Sequence, residues 1–481
     1  EIGVGNNRRL DSLTARWFDL AYNQIDITPD PKSSMPVFEP VLPAGSCPYV
    51  YAWDGEKFRF VSDFLGSSPV GLRVTDTVFA DADPHEYLWL GSDDMFKPRG
   101  TSYVIQVTEE LREVLYLDEA KLVVVDHPKD TEVHTTDKFR PSKPFPRGEL
   151  WTLHNRYPLR RATTLEGADV TDALTENDGR VVSPTRLRIP QLRGLAEPHG
   201  VELDFGPLAA DRPLVLALTG WLRFGGGMAN VAASHDPDLP FPFPQLEVEV
   251  PPTGWKKLDV VVGAPSGKTK TILVDLANRL PPGATKLRLT TAFEIHWDRI
   301  ALFERRFADE TRISRFAPCK TDLHWRGFSE FADLPWYVPL TPVYDHVFQQ
   351  PHWAITPMGW CTRYGDVAPL IEAEDNAVAI LNGGDELTLD FDADRLPPKP
   401  AEYTRDFFLY SVGWDKDADF HVELGWKVDP IPWHGMNDQI YGQEPRPSFP
   451  SDSLMKRYNT RWVGQLTLSR KSHRNDGLGV R

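Results

Sequence analysis

Proline restricts this chain more than any other residue. It supplies 43 of the 481 residues, nearly double the usual share of about 5%. Each proline fixes φ and lacks an amide donor, so helices of ordinary length cannot run through such a chain. The segments between prolines alternate instead. Tyr49-Val-Tyr-Ala-Trp53 and Phe58-Arg-Phe-Val61 flank Asp54-Gly55, a pair suited to a tight hairpin turn. Strand character recurs at 101–107 and 121–125. It continues at Val201–Phe205, Leu214–Phe224, Leu246–Val250, Trp255–Val262, Thr269–Leu276, Lys286–Thr291 and Ile295–Phe303, then at 377–381, 386–391 and 406–411. Glu109–Val114 suits either one helical turn or a strand followed by a second at 113–118. Short strands at turn-spaced intervals are the pattern of a β-sandwich or jelly roll. The expected fold is mainly β: several β-sandwich or jelly-roll domains joined by long proline-rich loops.

Charge narrows the partners. Asp and Glu number 69 against 53 Lys and Arg, a net charge of −16. Such a surface repels phosphate, so nucleic acid is a poor ligand. Calcium, protein subunits and neutral glycans remain compatible. The exception is 456–481, with seven basic residues and one acid, Asp476. It reads as a solvated tail or as a peptide that docks on an acidic neighbour in a homo-oligomer or larger assembly. No apolar run approaches the ~18 residues of a membrane-spanning helix. The cysteines are Cys47, Cys319 and Cys361. Their spacing fits no zinc, haem or dithiol motif, and a Cys319–Cys361 disulfide is the expected pairing by proximity in sequence.

Several motifs bear on chemistry. Gly263-Ala-Pro-Ser-Gly267-Lys268-Thr269 has one residue too few between its glycines for a phosphate loop and runs into a strand. Asp415, Asp417 and Asp419 lie at alternate positions, as in calcium loops, with Glu423 close behind. Phe420 stands where such a loop has glycine, and Trp426 occupies the twelfth position, so an acidic turn is the competing reading. Asp81, Asp83 and Glu86, joined by Asp63, form a second acidic group. Trp325, Trp336, Trp353 and Trp360, with His324 and His352 beside them, could stack on sugar rings or fill a core. Asp298 and Arg299 read as a loop anchor or ion pair. No neighbourhood nominates a nucleophile with its base or a pair of catalytic carboxylates.

Three stretches carry resemblances. The opening Gly3-Val-Gly5, followed by Leu10-Asp-Ser-Leu-Thr-Ala-Arg-Trp17, resembles the end of the ASPIC/UnbV domain, with Phe18 where that family has proline. Leu13, Ala15 and Trp17 alternate as a strand, and its partner is expected upstream of residue 1. Gly267–Leu276, Leu280–Leu289 and Ile295–Leu302 resemble a galactose-binding-like jelly roll. Cys47–Leu72, Asp322–Phe331 and Thr404–Met436 resemble the C-terminal region of bacterial proteins that combine tetratricopeptide, FG-GAP and ASPIC/UnbV segments. The implied organisation is an ASPIC/UnbV-like remnant at 1–35, a β-rich domain at 45–145 and a sandwich at 146–310. An aromatic-rich segment with strands follows at 311–455, pairing with 45–145, and then the basic tail at 456–481. The resemblance implies an extracellular, periplasmic or cell-surface protein. Its expected role is a non-catalytic binding or assembly module for glycan or protein, stabilised by calcium. A carbohydrate-active enzyme, or its accessory region, is the alternative.

Overall fold

The structure, a computed structural model, describes residues 48–189, 192–238, 243–307, 310–349, 351 and 356–464, together with the backbone of the strands Leu13–Arg16 and Tyr22–Ile25. The fold is mainly β, with antiparallel sheets stacked as two sandwiches.

In the first sandwich one sheet runs, in spatial order, Arg312–Phe316, Glu113–Pro128, Tyr403–Asp417 and His85–Ser92. Ala379–Asn382 also pairs with Glu113–Pro128. The facing sheet runs Lys320–Trp325, Asp385–Asp392, Ser102–Thr108, Tyr49–Trp53 and Phe58–Asp63. Strands from 49–128 therefore pair with strands from 312–417. Between the two sheets lie Val50, Ile105, Val107, Leu115, Leu122, Val124, Leu389, Phe407 and Leu409, all buried. In the hairpin joining Tyr49–Trp53 to Phe58–Asp63, Asp54 Oδ1 accepts the amides of Glu56 and Lys57. Gly55 takes φ 110° there, a conformation that side chains resist.

The second sandwich is an insertion. The chain leaves the first sheet after Pro128 and returns at Arg312, which pairs with Asp126. Both ends of the insertion therefore leave from one sheet edge, the arrangement that lets one domain sit inside another. One of its sheets runs Lys270–Asp275, Leu214–Leu222, Ile295–Arg306, Leu150–Tyr157 and Glu132–Thr135. The other runs Arg161–Thr164, Leu192–Asp204, Lys286–Phe293, Gln245–Val250 and Gly254–Lys257. Leu203, Leu216, Leu218, Val248, Leu287, Ile300 and Leu302 fill the space between them.

Outer faces are covered as well. Val123, Val125, Phe408, Tyr410 and Val412 point away from the first core and are buried with Val133, Leu150 packing against them from the second sandwich. A strand buried on both faces reads as a continuous apolar run, which is why Leu122-Val-Val-Val125 shows no alternation. On the opposite side, Tyr49, Tyr51 and Leu111 are capped by Phe328, Phe331 and Tyr344. These belong to the hairpin of Phe328–Phe331 with Pro342–Phe348. Part of the aromatic-rich segment is thus core.

Several local expectations change. Glu113–Pro128 is one continuous strand rather than two. The stretch 146–200 holds the strands Leu150–Tyr157, Arg161–Thr164 and Leu187–Ile189. A helix, Gly226–His235, interrupts the β pattern. Leu13–Arg16 pairs antiparallel with Tyr22–Ile25, so its backbone partner comes from just downstream. Cys319 and Cys361 are both free thiols. Cys319 N bonds Asp390 O, at one end of the strand pair in which Trp325 faces Asp385 at the other. Cys361 lies near that far end, beside Asn382. That separation of roughly 17 Å along the strand is too long for a disulfide. Cys47 lies outside the described residues.

Candidate functional site

Two of the three aspartates of the expected calcium loop are not in a loop. Asp415 and Asp417 end the Tyr403–Asp417 strand, opposite Leu115 and Glu113. Asp417 Oδ1 meets Arg112 Nε at 3.2 Å. Asp419 lies past the strand end, where its Oδ1 accepts His421 N at 3.0 Å. Glu423 pairs with Arg73 at 2.5 Å. Each of these three carboxylates has a partner of its own, so the alternate spacing does not gather them around one point.

Asp415 joins a different group. Glu109, Glu113 and Asp415 each bring a carboxylate oxygen to within 4.8 Å of the others. All three are buried, with Glu109 and Glu113 at 0% exposure and Asp415 at 3%. Glu109 Oε2 and Asp415 Oδ1 have no hydrogen-bond partner among the described residues, an expensive condition for a buried oxygen. Burial pushes the Asp415 carboxyl up to about 8. Burial, and then the charge of Asp415, raises Glu109 and Glu113 well above the ordinary carboxylate range. Lys416 gives no relief: its Nζ reaches the Val428 carbonyl and the Tyr441 hydroxyl, each at 2.8 Å. Three oxygens of this kind can hold a hard cation or share protons. Glu109-Glu-Leu-Arg-Glu113 is visible in the sequence, but its meeting with Asp415 depends on strand register.

Of the second acidic group, Asp63 and Glu86 meet at Lys270, whose Nζ lies 2.8 Å from Asp63 and 3.5 Å from Glu86. Asp63 accepts Lys268 N and Lys270 Nζ, and Asp81 lies 3.6 Å from Lys143. Asp83 faces His85. Asp298 accepts the amides of Asp178 and Gly179, anchoring that loop, while Arg299 forks onto Glu132.

The predicted stacking residues lie in separate settings. Trp325 is 38% exposed, and its Nε1 donates to Gln349 Oε1 at 2.8 Å. Trp336 meets His296 edge-on. Trp353 and His352 lie outside the described residues. Trp360, 51% exposed, pairs in register with Trp462, 58% exposed. Their rings stand 5.2 Å apart on the small sheet of Gly359–Cys361 and Arg461–Val463. Arg461 of the same sheet bonds the buried Asp385 and lies 4.3 Å from the exposed Tyr364 ring. Sequence reasoning misses Trp462 because its partner is about a hundred residues away. Hydroxyl–imidazole contacts among the described residues include Thr131 Oγ1 with His127 Nδ1 at 2.8 Å and Ser183 Oγ with His296 Nδ1 at 2.7 Å. The His296 imidazole is fully buried, stacked on Trp221 at 4.1 Å. No reaction step follows from its pair with Ser183. No family model, curated protein or solved structure matches the chain.

Proposed function

We propose that this protein is an exported, non-catalytic binding module. It takes a neutral glycan on an exposed tryptophan surface, and calcium braces its fold. The Trp360–Trp462 pair carries the reading. Two large indoles left in water on a hydrogen-bonded strand pair forgo the burial that aromatic residues usually achieve. A pyranose ring presents a face of C–H groups that an indole covers well, while Arg461 and Tyr364 supply polar edges. The net charge of −16 disfavours polyanionic ligands, which leaves uncharged sugars. The resemblance to secreted FG-GAP and ASPIC/UnbV proteins supports a place outside the cytoplasm.

Trp360→Ala and Trp462→Ala should each weaken binding to a neutral polysaccharide at least tenfold in affinity electrophoresis, whereas Trp336→Ala should leave it unchanged. If none of a panel of neutral polysaccharides binds the wild type, or if both variants bind as wild type, the glycan reading fails. The calcium part rests on Glu109, Glu113 and Asp415. Calcium at a hundred times its Kd should add about 2.7 kcal/mol, read as a raised Tm that a chelator reverses. Asp415→Asn should abolish the shift. Asp417→Asn, which alters a carboxylate that faces Arg112, should keep most of it.

A further inference from the structure

A second cluster has different chemistry. His85 opens the His85–Ser92 strand, Glu374 sits on the turn before Ala379–Asn382, and His434 follows the Tyr403–Asp417 strand. One ligand atom from each lies within 4.8 Å of the others. His85 Nε2 is 3.2 Å from Glu374 Oε1, and His434 Nδ1 is 3.5 Å from the same oxygen. We propose that His85, Glu374 and His434 bind one divalent cation of the zinc class. This site is separate from the carboxylate group of Glu109, Glu113 and Asp415 and does not rest on the glycan reading.

The separations suit a metal. Ligands at about 2.0–2.1 Å from a tetrahedral zinc ion stand roughly 3.3 Å apart, close to both observed distances. Two imidazoles with one carboxylate favour zinc-class ions over calcium or magnesium, which take oxygen.

The outer contacts fit too. His434 Nε2 lies 2.7 Å from Asp118 Oδ2. With the proton placed on that nitrogen, a neutral ring turns the lone pair of Nδ1 toward Glu374. Two acceptors then face each other, and a cation between them removes the conflict. Asp118 also accepts the amides of Asp375 and Asn376, while His434 N donates to Asn376 Oδ1 at 2.8 Å. One carboxylate on the Glu113–Pro128 strand, its side chain fully buried, therefore fixes both the His434 ring and the turn that carries Glu374. A carboxylate behind a ligating histidine is the usual support of such a metal. His85 Nδ1 has Asp83 Oδ1 at 3.9 Å behind it. Arg147 bonds Oε2 of Glu374, the oxygen remote from the histidines.

The three side chains are 13%, 20% and 23% exposed, so an ion can enter and solvent or a ligand atom can complete its shell. Three protein ligands leave one position of a tetrahedral ion for solvent or a ligand atom.

Titration of the chelator-treated, full-length chain with Co2+, followed by its visible d–d absorption, tests the site, with Zn2+ stoichiometry measured by calorimetry. One equivalent per chain is expected, with the intense absorption of a four-coordinate ion. His85→Ala and His434→Ala should lose that equivalent, and Asp118→Asn should weaken it about 10–100-fold. Asp415→Asn should keep it. Circular dichroism checks that each variant is folded, and His85→Gln replaces His85→Ala if the latter is not. A folded wild type that takes up neither ion overturns the proposal, with no variant needed. So does an equivalent that survives in folded variants of both histidines.

Discussion

At the scale of single residues, burial sets what each charge can do. Glu294 is fully buried. Desolvation pushes its carboxyl up, but His296, a fork from Arg193 and the Gly194 amide outweigh that and bring it to about 2, from an ordinary 4.5. A folded value below the unfolded one gives stability that is complete above about pH 4.5 and lost as pH falls toward 2. Glu294→Gln should flatten this part of the acid-denaturation curve and cost about 2 kcal/mol at neutral pH, measured by urea melts at several pH values. An unchanged acid limb would show that the Arg193 fork contributes nothing. The sequence displays Glu294, His296 and Asp298 on one alternating face. It does not show that Arg193 arrives from a strand about a hundred residues earlier.

Among the elements, the Tyr403–Asp417 strand lies inside one sheet of the first sandwich. It pairs along its length with Glu113–Pro128 and on its other side with His85–Ser92. The register with Glu113–Pro128 shifts between Val412 and Gly413. A Cβ on Gly413 would stand 2.5 Å from the Tyr116 carbonyl oxygen, closer than any carbon can sit. Gly413→Val should therefore split the strand where it turns toward the carboxylate group, costing about 3 kcal/mol or more. Denaturant melts check the cost, and the calcium-dependent Tm shift should vanish with it. A variant as stable as wild type would mean that the bulge relaxes freely. Phe407–Tyr410 is legible as strand from its aromatic run. Its continuation to Asp417 is not, because Trp-Asp-Lys-Asp is polar enough for a turn and only pairing with Glu113–Leu117 makes it extended.

At the scale of the whole molecule, the two sandwiches are held by polar contacts that neither makes alone. Asp63 accepts Lys268 N at 2.9 Å and Lys270 Nζ at 2.8 Å. Tyr87 N donates to Asp137 at 2.7 Å, and Trp221 Nε1 to the Tyr337 carbonyl at 3.1 Å. The Gly226–His235 helix adds Asn230 Nδ2, which donates to Arg73 O at 3.1 Å. Asp63 is the most buried of the ionic partners here, at 3% exposure. Asp63→Ala removes one member of a buried pair, a change worth about 3 kcal/mol. Differential scanning calorimetry should then resolve two transitions where wild type shows one. A single unshifted transition would mean that the sandwiches unfold together through other contacts.

Proline density and alternating aromatics by themselves determined that this chain is mainly β and placed most of its strands, because both signals act over a few residues and need no partner. Tertiary structure alone decided which residues meet. Asp415 could join Asp417, Asp419 and Glu423 on spacing, yet it faces Glu109 and Glu113, because strand pairing fixes a side chain's neighbours by register. His85 and Glu374, 289 residues apart, converge only because the second sandwich is inserted at one sheet edge and the chain then returns to complete the first. The physical reason is range: backbone preference is local, whereas a site made from side chains depends on contacts that only the closed sandwich brings within a few ångströms.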